Sequence, residues 1–114
     1  MRLEVCDIEG GSGSVVALSG EVGFSEVQEL RARLDSTLKL GGKALLLDLA
    51  NVSFIASDGL GALIRTRAHA EQLGKTFLLV RPQARILDLL EKTQLTKIFT
   101  IYATLEEAMA EMKS

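Results

Sequence analysis

The order of apolar and polar positions predicts alternating strands and helices. Residues 43–49 and 75–80 are short runs that are apolar on both faces, as in strands buried within a sheet that is covered on both sides. Residues 14–19 predict another strand, and residues 3–8 alternate more loosely, as expected for an edge strand. Residues 97–101 predict a last strand, which gives a sheet of about five strands.

Two long segments between these strands have helical spacing. The first helix is predicted to begin at a Ser-x-x-Gln capping box formed by Ser25 and Gln28, and to end at Gly41. The second is predicted to begin with Ser57 or Asp58 as its N-cap and to end just before residue 74, a glycine. Their predicted core-facing residues are Val27, Leu30, Leu34 and Leu38 in the first helix, and Leu60, Leu63, Ile64 and Ala68 in the second.

Two further segments complete the predicted order of elements. Residues 86–90 form a short apolar helix, and Thr104 with Glu107 has the spacing of a capping box before a final helix. A glycine-rich turn at residues 9–13 predicts a hairpin, which makes the first strand antiparallel to the second. The order predicts one α/β domain over residues 1–114, with a mixed, mostly parallel sheet and about four helices mainly on one face.

The stretch Ser57-Asp58-Gly59-Leu60-Gly61 lies where the central strand ends and the second helix begins. In open α/β sheets this edge is the usual place for ligands and partners. Each glycine costs about 1 kcal/mol relative to alanine inside a helix, so both need a reason. Two reasons stay open: clearance for a helix packed closely on its strand, or bare backbone that receives an anion at a helix N-terminus. A phosphate on Ser57 would bring a charge of about −1.5 to −2 to this point.

The composition of the chain argues against several classes of protein. The net charge of −2 provides no basic excess for nucleic acid, and no apolar run approaches the length of a membrane span. The first residues lack the apolar core of a signal peptide, so a cytoplasmic location is expected. Cys6 is the only cysteine, which excludes an internal disulfide. We expect it to be a small buried residue of the first strand rather than a reactive thiol.

The residues needed for most catalytic mechanisms are missing. The single histidine, His69, is expected on the exposed side of the second helix, with no carboxylate or second histidine at metal-ligand spacing. Ser57 lacks the Gly-x-Ser-x-Gly context of a nucleophile elbow. The sequence therefore predicts no catalytic residue, no metal and no cofactor, and favours a switch or adaptor over an enzyme.

Residues 54–61 (Phe-Ile-Ala-Ser-Asp-Gly-Leu-Gly), which follow Leu47-Asp48-Leu49, resemble the signature of STAS domains, and most of all that of bacterial anti-sigma factor antagonists. The resemblance extends over nearly the whole chain, from Ser19-Gly20-Glu21-Val22 to residues 104–108. The common family form is Asp-Ser-Ser/Thr-Gly-Leu-Gly, and its first serine, which a partner kinase phosphorylates, falls on Ser57.

The resemblance implies a phosphorylation-controlled binding protein. Its unphosphorylated form would bind an anti-sigma factor that is also a serine kinase, and so free a sigma factor. Phosphorylation of Ser57 would block the complex, and a phosphatase could restore it. A monomer or weak dimer is expected, with no nucleic acid bound and no insertion into a membrane. The residues expected to bind the partner are Ser57, Asp58, Gly59, Leu60, Gly61 and Arg65.

This sequence departs from the family pattern at three places. Ala56 replaces the aspartate before the serine, Asp58 replaces the hydroxyl residue after it, and Gly23 stands where the family often has an aspartate. Asp58 could cap the helix or partly imitate a phosphate, and we favour the cap. Arg65 lies too far along the helix to be counted on as a partner of a phosphate on Ser57.

Two other functions stay open from the sequence. One is a STAS subunit of a membrane transport complex that acts as an adaptor and is not phosphorylated. The other is a small enzyme that binds a phosphate or nucleotide at the Ser57 loop. The missing catalytic side chains weigh against the enzyme.

Overall fold

The computed structural model of the chain describes residues 1–8 and 12–113, and within them five strands form one sheet in the order of the sequence. The first strand is antiparallel to the second, and all other neighbours are parallel. The predicted mixed, mostly parallel sheet is confirmed. The strands are β1 (Arg2–Asp7), β2 (Gly13–Val22), β3 (Ala44–Ile55), β4 (Thr76–Val80) and β5 (Thr100–Tyr102).

Helices cover the sheet unequally. Buried residues of the first three helices share one core with β2, β3 and β4, whereas the last helix packs on the opposite face of the sheet. The prediction of helices mainly on one face is therefore confirmed. The helices are α1 (Val27–Leu40), α2 (Ser57–Gln72), α3 (Ala84–Lys92) and α4 (Leu105–Lys113), with 3-10 turns at Phe24–Glu26 and Leu95–Lys97.

The central strand β3 is buried on both faces over its first six residues. Leu45, Leu47 and Leu49 lie in the larger core beneath α1, α2 and α3. Leu46 faces the other way, into the smaller core beneath α4. This alternation is why a run apolar at every position was needed here, and it agrees with the predicted buried strand.

Beyond Leu49 the pairing of β3 with β2 is irregular at two places. Near Ala50, the chain advances three residues along β3 while it advances two along β2. Near Ser53, it advances two residues along β3 while it advances one along β2. Each extra residue acts as a β-bulge and shifts the alternation of side chains by one position. The next core residues of β3 are consequently Val52 and Ile55, and Phe54 points outward. The strand thus runs six residues past the predicted end at Leu49.

A nearly buried carboxylate lies at the first irregularity. Asp48 Oδ1 accepts the Ala50 N–H at 3.1 Å and Arg81 Nε at 3.1 Å, and Oδ2 accepts from Arg81 Nη2. The paired carboxylate raises the pKa of the Arg81 guanidinium above its ordinary value. Arg81 itself has a left-handed backbone, with φ of 56°. The ion pair links β3 to the residue that follows β4, next to Asp48 and Val80, the last pair of residues in the β3–β4 register.

Two predicted helix starts have different outcomes. The capping box at Ser25 and Gln28 was wrong, because the chain first makes a 3-10 turn and Ser25 Oγ donates to Glu26 Oε2 at 3.2 Å. Thr104 does cap α4, since its hydroxyl accepts the Glu107 N–H at 3.1 Å. Gly74 follows α2 as predicted, and Gln94 follows α3. Both have a left-handed backbone, with φ of 68° for Gly74 and 62° for Gln94.

Some side-chain predictions were also wrong. Cys6 is exposed because β1 is an edge strand that places only Leu3 against the core. His69 is only partly exposed and contacts Asp35 of α1, and Ile64 is exposed, whereas Leu60 and Leu63 are buried as expected. The predicted turn at residues 9–13 lies mainly outside the described residues, as does the side chain of residue 112.

We predict that Asp48→Ala lowers the free energy of unfolding by about 1–3 kcal/mol, because it leaves the partly buried Ala50 N–H and the Arg81 guanidinium without their acceptor. Urea denaturation measures this loss. The matched control is Asp88→Ala, which removes an exposed ion pair with Lys92 and should change stability by less than about 0.5 kcal/mol. Equal effects of the two substitutions would show that the buried carboxylate does not brace the sheet.

Candidate functional site

The predicted phosphorylation site lies at the carboxyl edge of the sheet. Strand β3 ends at Ile55, the extended residue Ala56 donates its N–H to the Val22 carbonyl at 2.8 Å, and Ser57 is the first residue of α2. The tie to β2 fixes the point at which the chain leaves the sheet. Ser57 and its neighbour Asp58 are both exposed.

The predicted N-cap of α2, Ser57 or Asp58, was wrong by one or two residues. Ala56 occupies the cap position, and its carbonyl accepts from Gly59 N and Leu60 N at 2.8 and 3.1 Å. Because Ala56 carries only a methyl group, no side-chain oxygen caps the helix. Asp58 instead lies within the first turn, where its charge suits the positive end of the helix dipole.

The two glycines of α2 differ in their surroundings. A Cβ on Gly59 would lie 2.8 Å from Ile55 Cγ2 and 3.4 Å from Val22 Cγ1, so this glycine provides the clearance for helix and strand to pack. A Cβ on Gly61 would meet nothing within 4 Å. Close packing therefore explains why residue 59 is a glycine. No contact within the described chain explains why residue 61, Gly61, is a glycine too.

A groove of about 480 Å³ separates the start of α2 from the start of α1. We call it the Arg groove. Its lining includes Phe24, Arg31, Ser57, Asp58, Gly61 and Arg65. The structure thus brings Arg65 to the same cavity as Ser57, although the spacing along the helix had suggested that it was too remote. Arg31 of α1 was not singled out from the sequence.

A second groove, of about 390 Å³, lies on the other side of Ser57, between the end of β3 and α3. We call it the Phe54 groove, after the phenylalanine that lines it along with Ile86 and Leu89. Its lining is mostly apolar, with Arg85 at its border. Ser57 lines both grooves and so stands on the ridge between them.

Each groove carries one exposed phenylalanine. Phe24 is 79% exposed and Phe54 is 49% exposed, values that are high for side chains of this size. Sequence reasoning missed both. The bulge near Ser53 turns Phe54 outward, which no local pattern reveals, and Phe24 is exposed because the chain makes a 3-10 turn there before α1 begins.

The two arginines of the Arg groove lack the ion pairs that some other cations of the domain form. Arg67 pairs with Glu71 at 3.0 Å, and Lys92 pairs with Asp88 at 2.9 Å. Within the described part of the chain, neither Arg31 nor Arg65 has an ion pair or a hydrogen bond from its side chain.

The Arg groove continues into a smaller cavity of about 200 Å³. Arg31 and Arg65 line this cavity as well, and it ends at His69 and Asp35, whose Nδ1 and Oδ1 atoms are 2.9 Å apart. The histidine that was expected on an open helix face therefore links α2 to α1 behind the groove.

The residues predicted to bind a partner fall into two groups. Ser57, Asp58 and Arg65 are exposed, and Gly61 lies at the groove between them. Gly59 and Leu60 are buried against the sheet. The second group can shape the surface but cannot supply much contact area.

The site is thus an exposed serine that lines two grooves at the carboxyl edge of an α/β sheet. Residues 7–108 match the family model of the STAS domain, and the chain belongs to this family. A Thermotoga neapolitana protein with the provisional name of anti-sigma factor antagonist is 34% identical over 79 residues, which cover 69% of this chain and 70% of the relative.

Solved structures share the whole fold. An anti-sigma factor antagonist from Mycobacterium paratuberculosis is 30% identical, with a TM-score of 0.86 over 99% of this chain and 94% of that one. The anti-sigma factor antagonist SpoIIAA, 19% identical, has TM-scores of 0.82 in its unphosphorylated form, covering 98% and 96% of the two chains, and 0.73 in its phosphorylated form from Bacillus, covering 96% and 98%. At that identity only the fold is shared.

The fold also occurs within a membrane transporter. A mouse anion transporter of solute carrier family 26 matches 93% of this chain with a TM-score of 0.81 and 17% identity, but the match covers 18% of the transporter. Among the described residues of this chain, no helix is long and apolar enough to cross a membrane.

We predict opposite effects of alanine at the two glycines of α2. Gly61→Ala should raise the free energy of unfolding by about 0.5–1 kcal/mol, because alanine favours the helix and nothing obstructs its methyl group. Gly59→Ala should lower it by about 1–2 kcal/mol, because the methyl group would overlap Ile55. Chemical denaturation of the two variants tests this, and a shift in the same direction for both would contradict the assignment.

Proposed function

We propose that this protein is an anti-sigma factor antagonist whose binding is switched by phosphorylation of Ser57. The unphosphorylated form binds an anti-sigma factor and so releases a sigma factor for transcription. The observation that carries the proposal is the position of Ser57, exposed at the first residue of α2 on the ridge between two grooves. The family and its antagonist relatives support the same function.

The contact surface follows from the two grooves. Phe24 and Phe54 present large apolar side chains on either side of Ser57, and exposed aromatic residues of this kind commonly anchor interfaces. Arg31 and Arg65 give the Arg groove a positive lining, which favours an acidic partner segment. The missing side chain of Gly61 lets that segment approach the helix backbone closely.

The switch needs no change of fold. A phosphoryl group on Ser57 would carry about −1.5 to −2 charge into the middle of the contact surface. There it would have to be desolvated or would repel an acidic partner. A penalty of about 3 kcal/mol weakens binding more than 100-fold, which is enough to separate two regulatory states.

The departures from the family motif are compatible with this switch. Ala56 holds the cap position without an acceptor oxygen, so the first N–H groups of α2 stay open to a phosphate. Asp58 is not the cap that we expected, and it contributes one fixed negative charge beside the site. The partner in this proposal is an anti-sigma factor with serine kinase activity, and a phosphatase would reverse the modification.

We predict that the cognate kinase, supplied with ATP, adds one phosphoryl group to this protein and none to Ser57→Ala. Intact-mass spectrometry measures the addition. The phosphorylated protein should bind the anti-sigma factor at least 100-fold more weakly than the unphosphorylated one in calorimetry. Ser53→Ala, a nearby control on β3, should be phosphorylated like wild type. No addition by a kinase that is active on another substrate would refute the Ser57 switch for that pair.

We also predict that the two exposed phenylalanines anchor the partner. Phe24→Ser and Phe54→Ser should each weaken binding of the unphosphorylated protein by at least tenfold, because each removes apolar area from the contact surface. Phe24→Ser should lower stability by no more than about 0.5 kcal/mol, since that side chain is largely exposed. Phe54→Ser should lower it by about 1–2 kcal/mol, because half of that side chain is buried, so its binding is measured well below the temperature at which the variant unfolds.

The matched control for the phenylalanines is Leu40→Ser. Leu40 is 88% exposed at the far end of α1, outside both grooves, so its replacement removes a comparable apolar side chain elsewhere. Binding should be unchanged in this variant. If Leu40→Ser weakened binding as much as Phe24→Ser did, the contact surface would have to lie elsewhere.

A further inference from the structure

The Arg groove contains the hydroxyl group of Ser57, two arginines and the carboxylate of Asp58. Arg31 approaches from α1 and Arg65 from the second turn beyond Ser57 on α2, and both side chains lack an ionic partner among the described residues. Exposed arginines are common, but two that line one cavity with a hydroxyl group form a recognisable arrangement for an anion.

Spacing along the helix alone would separate Ser57 from Arg65. Eight residues correspond to a rise of about 12 Å. Two features shorten the gap. Side chains of a helix lean toward its N-terminus, so that of Arg65 leans in the direction of Ser57. Gly61, midway between them, leaves the path open, since even a Cβ there would meet nothing within 4 Å.

We propose that, when Ser57 is phosphorylated, Arg31 and Arg65 of the same chain bind the phosphoryl group within the Arg groove. The ligand is a phosphate monoester dianion, whose three acceptor oxygens suit two guanidinium groups that approach from different helices. This inference rests on the proposed function for the presence of the phosphate, and it goes further by assigning the residues that hold it.

The charges that face this site leave a positive balance. Asp58 lines the Arg groove and opposes the phosphate, whereas Ser25 and Gln28 are neutral. In the adjoining cavity a second carboxylate, Asp35, is hydrogen-bonded to His69. Two arginines and one carboxylate therefore line the Arg groove itself.

The capture of the phosphate would explain how one modification changes a whole contact surface. In the unphosphorylated protein the two arginines are available to an acidic partner. In the phosphorylated protein they are occupied by a group of the same chain. The modification therefore adds negative charge and simultaneously withdraws two cations from the surface.

The test uses the full chain with phosphoserine incorporated at position 57 during translation, so it does not depend on any kinase or on partner binding. Phosphorus NMR follows the second ionisation of the phosphoryl group, which has a pKa of about 6 in an isolated phosphoserine. Bound arginines favour the dianion and lower this pKa. We expect the double variant Arg31→Gln/Arg65→Gln to have a pKa higher than wild type by about half to one pH unit, or three- to tenfold in the dissociation constant.

The matched control is Arg33→Gln, which removes the same charge from an exposed position of α1 that does not line the groove. It should leave the phosphoserine pKa within about 0.2 pH units of wild type, because an exposed charge outside the groove is largely screened. His69 borders the same arginines, so the series is repeated with His69→Gln.

Two results would overturn the inference. One is a double variant whose phosphoserine titrates like wild type, and the other is an equal shift in Arg33→Gln, which would show only a general effect of net charge. Neither result would contradict the proposed function. That function is refuted by other results: a Ser57 that accepts no phosphate from a kinase, or a phosphorylation that leaves partner binding unchanged.

Discussion

A strand that carries extra residues loses regular pairing with its neighbour, and the freed backbone groups need other partners if they are buried. In β3 the side chain of Asp48 solves this problem at the first irregularity by accepting the Ala50 N–H. The same carboxylate is paired with Arg81, whose left-handed backbone turns the chain from β4 toward α3. One buried group thereby links the first irregularity of β3 to the turn that follows β4. A surface ion pair could not do this, because water would compete for both of its members.

The two bulges determine which side chains are exposed at the carboxyl edge of the sheet. A strand with strict alternation from Leu49 onward would have buried residues 51, 53 and 55 and pointed Phe54 into the core of the opposite face. The two extra residues instead keep Val52 and Ile55 in the main core, expose Phe54, and deliver Ala56 to the Val22 carbonyl. The start of α2, and hence Ser57, follows from that last contact. The surface around the serine is therefore set by backbone geometry several residues upstream.

These facts explain which features could be predicted from the sequence. Runs that are apolar throughout identify β3 and β4, and the order of elements then predicts the sheet, because parallel neighbours require intervening helices. The stretch Ser57-Asp58-Gly59-Leu60-Gly61 could be placed at a helix start, since its composition is local. The cap residue, the exposure of Phe54 and the approach of Arg31 could not be predicted. Each depends on a register or a contact between segments that are far apart in sequence, and local periodicity carries no information on either.

Under the proposed switch, the carboxylate of Asp58 raises the question of whether the unmodified protein already resembles a phosphorylated form. The geometry argues against it. Asp58 shares the Arg groove with Arg31 and Arg65, yet among the described residues it pairs with neither of them. A carboxylate on the second residue of the helix has a short side chain and one charge, whereas a phosphoryl group on Ser57 extends further and carries up to two. If the carboxylate had satisfied the arginines, phosphorylation would add little. Because it does not, the two cations remain free to distinguish the modified protein from the unmodified one.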